Sequence, residues 1–298
     1  MNQSITTLLL IIISTNSFSQ NFMRTEAKSS SGKIQFSQDE DNRIYLEASY
    51  LQDTFQVLLD SYTNCSHLPK KWVVKKWNLK KTPYRYPMID FNNKRYKEKL
   101  RTMESISIED TFFASNFYIC PNKYLNVQEF GLFGTDFLDD LNWKIDFYNN
   151  YLLYDTESTF NTSNITIKNN FERNEFPWFM LQIDSLRQKV KVDLGAASEI
   201  TLPVKSKIGK QLIAKYNLAP RNVKTGGMSS SDVTDTQYEL HLDSISIQGI
   251  MIKDVNIRLS TNCRFSFIGC RFLERGILYL NYKNSKNEER EVAFELLQ

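Results

Sequence analysis

The chain has 298 residues, 41% of them apolar and 13% aromatic, and a formal net charge of +3. That length and apolar content exclude a disordered chain and allow one large or two medium domains. A charge so near balance gives no ground for nucleic acid or an anionic membrane as partner. Ile, Val, Phe and Tyr dominate the apolar runs while Gly and Pro are sparse, so strands are expected to outnumber helices.

In chain order, the first feature is the apolar run Thr6–Ile13, followed by small and polar residues that include Ser17 and Ser19. This anatomy predicts a cleavable export signal over residues 1–19. The run is far shorter than the ~20 residues a spanning helix needs, and no later segment is long and apolar enough. A soluble protein outside the cytoplasm is expected, whether periplasmic, in the cell envelope or secreted. Four cysteines follow, Cys65, Cys120, Cys263 and Cys270, and an oxidising compartment would allow disulfides. Their spacing does not choose among the three pairings.

Beyond residue 45 the chain repeats itself. Phe55–Asp60 reads FQVLLD and Gln188–Asp193 reads QKVKVD, so an aspartate ends an alternating apolar segment in each half, at an offset of 133. Leu68-Pro69 matches Leu202-Pro203, and Trp77-Asn78-Leu79 matches Tyr216-Asn217-Leu218. Met103–Ile108 (MESISI) matches Leu242–Ile247 (LDSISI), and Leu132-Phe133-Gly134 matches Phe267-Ile268-Gly269, each with Phe-Leu three residues past the Gly. Five matches in one order at nearly constant spacing predict a duplicated lobe. The period-two segments read as strands with one buried face, Phe137-Leu138 and Phe272-Leu273 as short helical turns, and Asn149-Asn150 as a hairpin turn. The expected domains are an N-terminal lobe over 20–156, a Ser-, Thr- and Asn-rich linker over 157–176, and a C-terminal lobe over 177–298.

An aspartate closing an apolar strand, a tight turn, and later an apolar-apolar-Gly motif followed by Phe-Leu resembles the aspartic-protease superfamily of pepsin-like and retropepsin-like enzymes. Asp193-Leu194-Gly195-Ala196 is similar to the family's Asp-Thr-Gly-Ala turn, with Leu in the Thr place; Asp60-Ser61-Tyr62 has Ser for Thr and Tyr for Gly. The resemblance covers most of 45–155 and 177–285. It implies an all-β, two-lobed acid-protease-type β-barrel fold with an internal duplication. It also implies catalytic carboxylates at Asp60 and Asp193, supported by Ser61, Gly195, Ala196, Gly134 and Gly269, with no metal and no cofactor. Two such carboxylates held together cannot both ionise, so one can act as general base and the other as general acid. The implied activity is that of an exported, monomeric aspartic endopeptidase acting on polypeptide. Because Leu194 carries no hydroxyl and Tyr62 brings a ring where the family has Gly, a catalytically weak or inactive relative that binds peptide or a partner protein is the alternative.

Other residues point elsewhere less strongly. Only His67 and His241 could serve a Ser-His or Cys-His hydrolase, and no GxSxG turn is present. The lysines and tryptophans of 70–81 read as an amphipathic segment with Trp72 and Trp77 packed inward. The resemblance implies a substrate-covering flap; Gly226-Gly227 with the following Met and serines suits such a hairpin tip as well as it suits an ordinary exposed turn, and Tyr84, Arg85 and Tyr86 occupy the matching interval of the first lobe.

Overall fold

The computed structural model describes residues 25–89, 95–109, 111–123, 125–173, 175–227, 230–283 and 290–297. The export signal expected over residues 1–19 lies outside them. The first half runs β1 (Thr25–Ala27), β2 (Ser31–Gln35), β3 (Ser37–Gln38), β4 (Ile44–Tyr50), β5 (Asp53–Leu59) and β6 (His67–Pro69). A π-helical turn, Lys71–Lys76, leads to β7 (Lys81–Ile89), β8 (Arg95–Ile108), β9 (Thr111–Asn122), α1 (Leu125–Gln128), β10 (Gly131–Phe133) and α2 (Thr135–Leu138). β11 (Asn142–Asp146) and β12 (Tyr151–Asp155) end it, joined at Asn149-Asn150, where Asn150 takes a left-handed φ of 56°.

The second half repeats this order. β13 (Ile167–Phe171) precedes β14 (Trp178–Ile183), β15 (Leu186–Val192), β16 (Ile200–Pro203) and α3 (Lys207–Tyr216). Then come β17 (Arg221–Gly227), β18 (Ser230–Ile247), β19 (Ile250–Ser260), β20 (Phe267–Ile268), α4 (Cys270–Leu273), β21 (Gly276–Asn281) and β22 (Arg290–Leu296). The two halves form two closed six-stranded β-barrels, an all-β, two-lobed architecture. In the first barrel β4, β5, β10, β6, β9 and β8 neighbour one another in a ring; in the second, β14, β15, β20, β16, β19 and β18 follow the same cyclic order. Each barrel contains the same mixture of parallel pairs, β5 with β10 and β6 with β9 in one, β15 with β20 and β16 with β19 in the other.

The sequence explains the strands locally. Along β14 the side chains of Phe179, Leu181 and Ile183 alternate inward into the core, with half-exposed residues between them. In β21 all six residues are buried, because neighbours cover both faces. The recurrent aromatic-Asn-Leu triplets end helices: Asn78 and Asn217 adopt left-handed φ of 46° and 47°, and the following Leu79 and Leu218 amides donate back to Val73 and Ile213 carbonyls. Asn is among the few residues with a side chain that tolerate this cap. Trp72 and Trp77 do pack inward, against Phe55, at ring separations of 5.2 and 5.4 Å.

A third, six-stranded sheet joins the lobes in the order β13-β22-β21-β11-β12-β2. At its centre β11 pairs with β21 antiparallel, Ile145 opposite Leu278 and Trp143 opposite Leu280, which relates the halves by an approximate two-fold. The segment 157–176 is more than a linker. It contributes β13, which pairs with β22 as β2 pairs with β12, so it opens the second repeat. Among the described residues no helix is long and apolar enough to cross a membrane.

Candidate active site

Asp60 and Asp193 stand directly after β5 and β15, each held by its own copy of one scaffold. The backbone N–H of Asp60 donates to Phe133 O at 2.9 Å, and that of Asp193 to Ile268 O at 2.9 Å. Each carboxylate accepts the amide two residues on, Tyr62 N at 2.8 Å for Asp60 and Gly195 N at 2.9 Å for Asp193. Such Asx turns fix the carboxylate direction. Behind each turn passes a glycine: a Cβ on Gly134 would lie 2.4 Å from Thr63 O, and one on Gly269 2.4 Å from Ser198 O and 2.6 Å from Ala196 O. The crossing strands then lock the turns, Thr135 N donating to Thr63 O and Cys270 N to Ala196 O.

The two turns meet between the lobes. Ser61 is fully buried; its hydroxyl donates to Val192 O at 2.8 Å and accepts from Leu194 N at 3.1 Å, both across the lobe boundary. Gly195 faces Asp60 so closely that a Cβ there would sit 2.8 Å from Asp60 Cγ. Ala196 closes the second turn through its amide to Asp193 O at 3.3 Å. The structure thus brings together Asp60, Ser61, Asp193, Gly195 and Ala196, with Gly134 and Gly269 behind them. The grip is one-sided: Leu194 lies wholly in the apolar core, and only its backbone takes part, with its carbonyl also accepting from the Cys270 thiol at 3.0 Å.

Burial raises both acids. The Asp60 carboxyl is pushed up to about 6, burial outweighing the Tyr62 amide and the nearby His67, which act downward. Burial likewise drives Asp193 well above the ordinary carboxylate range, and the charge of Asp60 drives it further. Each carboxyl therefore resists ionising, and the pair retains a proton at a pH where isolated carboxylates have none.

Asp136, Phe176 and Phe265, beside the turns, gave no signal in the sequence as site residues. Asp136, buried at the start of α2, accepts from Ser66 N at 2.7 Å and Ser66 Oγ at 2.6 Å, while Ser66 Oγ accepts from Gly134 N at 3.1 Å. This bracing ties the Asp60 turn to the glycine strand; burial raises the Asp136 carboxyl to about 6. The Tyr62 ring packs on Phe176 at 4.5 Å and Phe265 at 5.7 Å. His67 is buried in β6, whereas His241 is exposed in β18, beside Asn256. All four cysteines are buried thiols, and none is in a disulfide.

Both lobes carry a long hairpin, β7–β8 and β17–β18. Tyr86 packs against Cys65, Leu100 and Cys120, and Tyr84 rests edge-on to Tyr118 at 5.9 Å. Gly227 ends β17, and residues 228–229 at that tip lie outside the described residues. Among the described residues no group of three His, Cys, Asp or Glu side chains could hold a metal. No protein-family model matches the sequence, and a search among curated proteins returns no match.

Proposed function

We propose that the protein is an exported aspartic endopeptidase of the pepsin-like and retropepsin-like superfamily, with Asp60 and Asp193 as its catalytic pair. One observation carries the reading: two aspartates on two-fold-related turns, clamped to each other through Ser61 and both resisting ionisation. The chemistry follows from a pair that keeps one proton. Asp60, the less strongly raised, is the general base. It takes a proton from water as the water oxygen bonds to the peptide carbonyl carbon, and Asp193 gives its proton to the carbonyl oxygen. The gem-diol intermediate then collapses; a proton passes to the amide nitrogen, the C–N bond breaks, and a carboxylic acid and an amine leave.

The Leu194 and Tyr62 departures favour a second reading, a relative that binds peptide with little cleavage. A peptide carrying a hydroxyethylene group in place of the scissile amide separates the two, because it presents the intermediate's hydroxyl to the shared proton. Binding at least a hundredfold tighter than that of the parent peptide, lost in Asp193→Asn, is expected. Equal binding of the two peptides favours the binding role.

A further inference from the structure

We propose that Lys191 recognises an acidic side chain of the substrate next to the scissile bond, a reading that rests on the peptidase assignment. The Lys191 ammonium is enclosed by three rings, at 4.8 Å from the Tyr62 centroid, 4.9 Å from Phe176 and 4.3 Å from Phe265, and it donates to the Tyr62 phenol at 3.3 Å. It is half-buried, and burial lowers its pKa. Among the described residues no carboxylate lies within ion-pair distance of it. Its neighbour Lys189 takes Glu175 at 2.9 Å, the half-buried Arg275 has Glu199, and the buried Arg290 has Asp139. Ring faces attract a cation but do not neutralise it, so a partly desolvated ammonium gains most from a carboxylate supplied by a ligand.

The position fits a substrate contact. Lys191 precedes Asp193 by two residues and so leaves the chain on the same side, whereas Tyr62 follows Asp60 by two and holds it through its amide. An extended peptide advances about 3.4 Å per residue, as β15 does, so a peptide running beside that strand from a carbonyl at Asp193 would reach Lys191 within about two residues. Phe265 is 48% exposed, so one wall of the cage opens outward.

The test begins by mapping cleavage in an unfolded protein substrate, then compares peptides differing only as Glu or Gln at the adjoining position. The parent is expected to show Asp or Glu enriched within two residues of the cut and a kcat/KM about tenfold higher for the Glu peptide. Lys191→Met should bring that ratio to about one, Lys191→Arg should preserve it, and Lys191→Glu should invert it towards Lys. Cleavage with no acidic enrichment in the parent, or a ratio unmoved in Lys191→Met, overturns the proposal. Should the parent cleave nothing, the peptidase reading fails while this one stays decidable by fluorescence anisotropy with labelled Glu-rich and Gln-rich peptides. A Glu preference that depends on Lys191 supports it, and equal affinities overturn it.

Discussion

A methyl group on Gly195 would meet Asp60 Cγ at 2.8 Å, a contact real side chains do not tolerate. Gly195→Ala therefore has to displace the Asp60 carboxylate from the position its turn holds it in. A displacement of about 1 Å is enough to lower kcat/KM on the order of a hundredfold, measurable with any peptide the parent cleaves, while the far-UV spectrum stays that of the parent. Ser61→Ala is expected to cost both stability and rate, since it leaves Val192 O and Leu194 N without their cross-lobe partner. About 2 kcal/mol of unfolding free energy is the expected loss, read from urea titration. Leu194→Thr should instead raise turnover by adding the hydroxyl that the two-fold mate of Ser61 lacks; unchanged turnover in a folded variant would show that the grip does not limit the rate. Asp60, Asp193, Gly134 and Gly269 were legible because duplication marks each twice, whereas Ser61 and Gly195 showed only through the resemblance of their turns to the family's. The ring cage was not, because Tyr62, Phe176, Lys191 and Phe265 come from separated segments, and the positions matching Tyr62 and Lys191 in the other half are Gly195 and Leu58. Asp136 was hidden as one acid opening a short helix, its role visible only through Ser66.

At the scale of elements, the aromatic-Asn-Leu triplets recur because each ends a helical turn with a left-handed residue. Asn217→Gly is expected to leave thermal stability within about 0.5 kcal/mol, whereas Asn217→Val should cost about 1–2 kcal/mol, since a β-branched side chain is strained at φ 47°. Calorimetry of the two variants beside the parent measures the contrast. The barrel strands were legible through their period-two burial. β13 was not: in Ile167–Phe171 only the terminal residues are apolar and three polar ones separate them, so the pattern resembles a linker. Backbone pairing to β22 makes it a strand, and such pairing leaves no mark on composition.

For the whole molecule, stability and activity are expected to move oppositely as pH rises towards about 6. Asp60 and Asp136, each raised from 3.8 to about 6, bind protons more tightly in the native state than in the unfolded one. Their contribution is fully present below about pH 4 and lost as pH rises through 6, roughly 3 kcal/mol for each group. Asp60→Asn should flatten part of that fall in melting temperature between pH 4 and 8. Catalysis needs one ionised carboxyl of the pair, so the rate should climb through about pH 6 and decline once Asp193 loses its proton at higher pH. The most direct measurement is cleavage of an unfolded protein, mapped by mass spectrometry from pH 4 to 8, for the parent beside Asp60→Asn and Asp193→Asn. The expected result is a bell-shaped profile in the parent and a loss of at least a thousandfold in either variant; cleavage that survives either substitution would contradict a shared two-aspartate site.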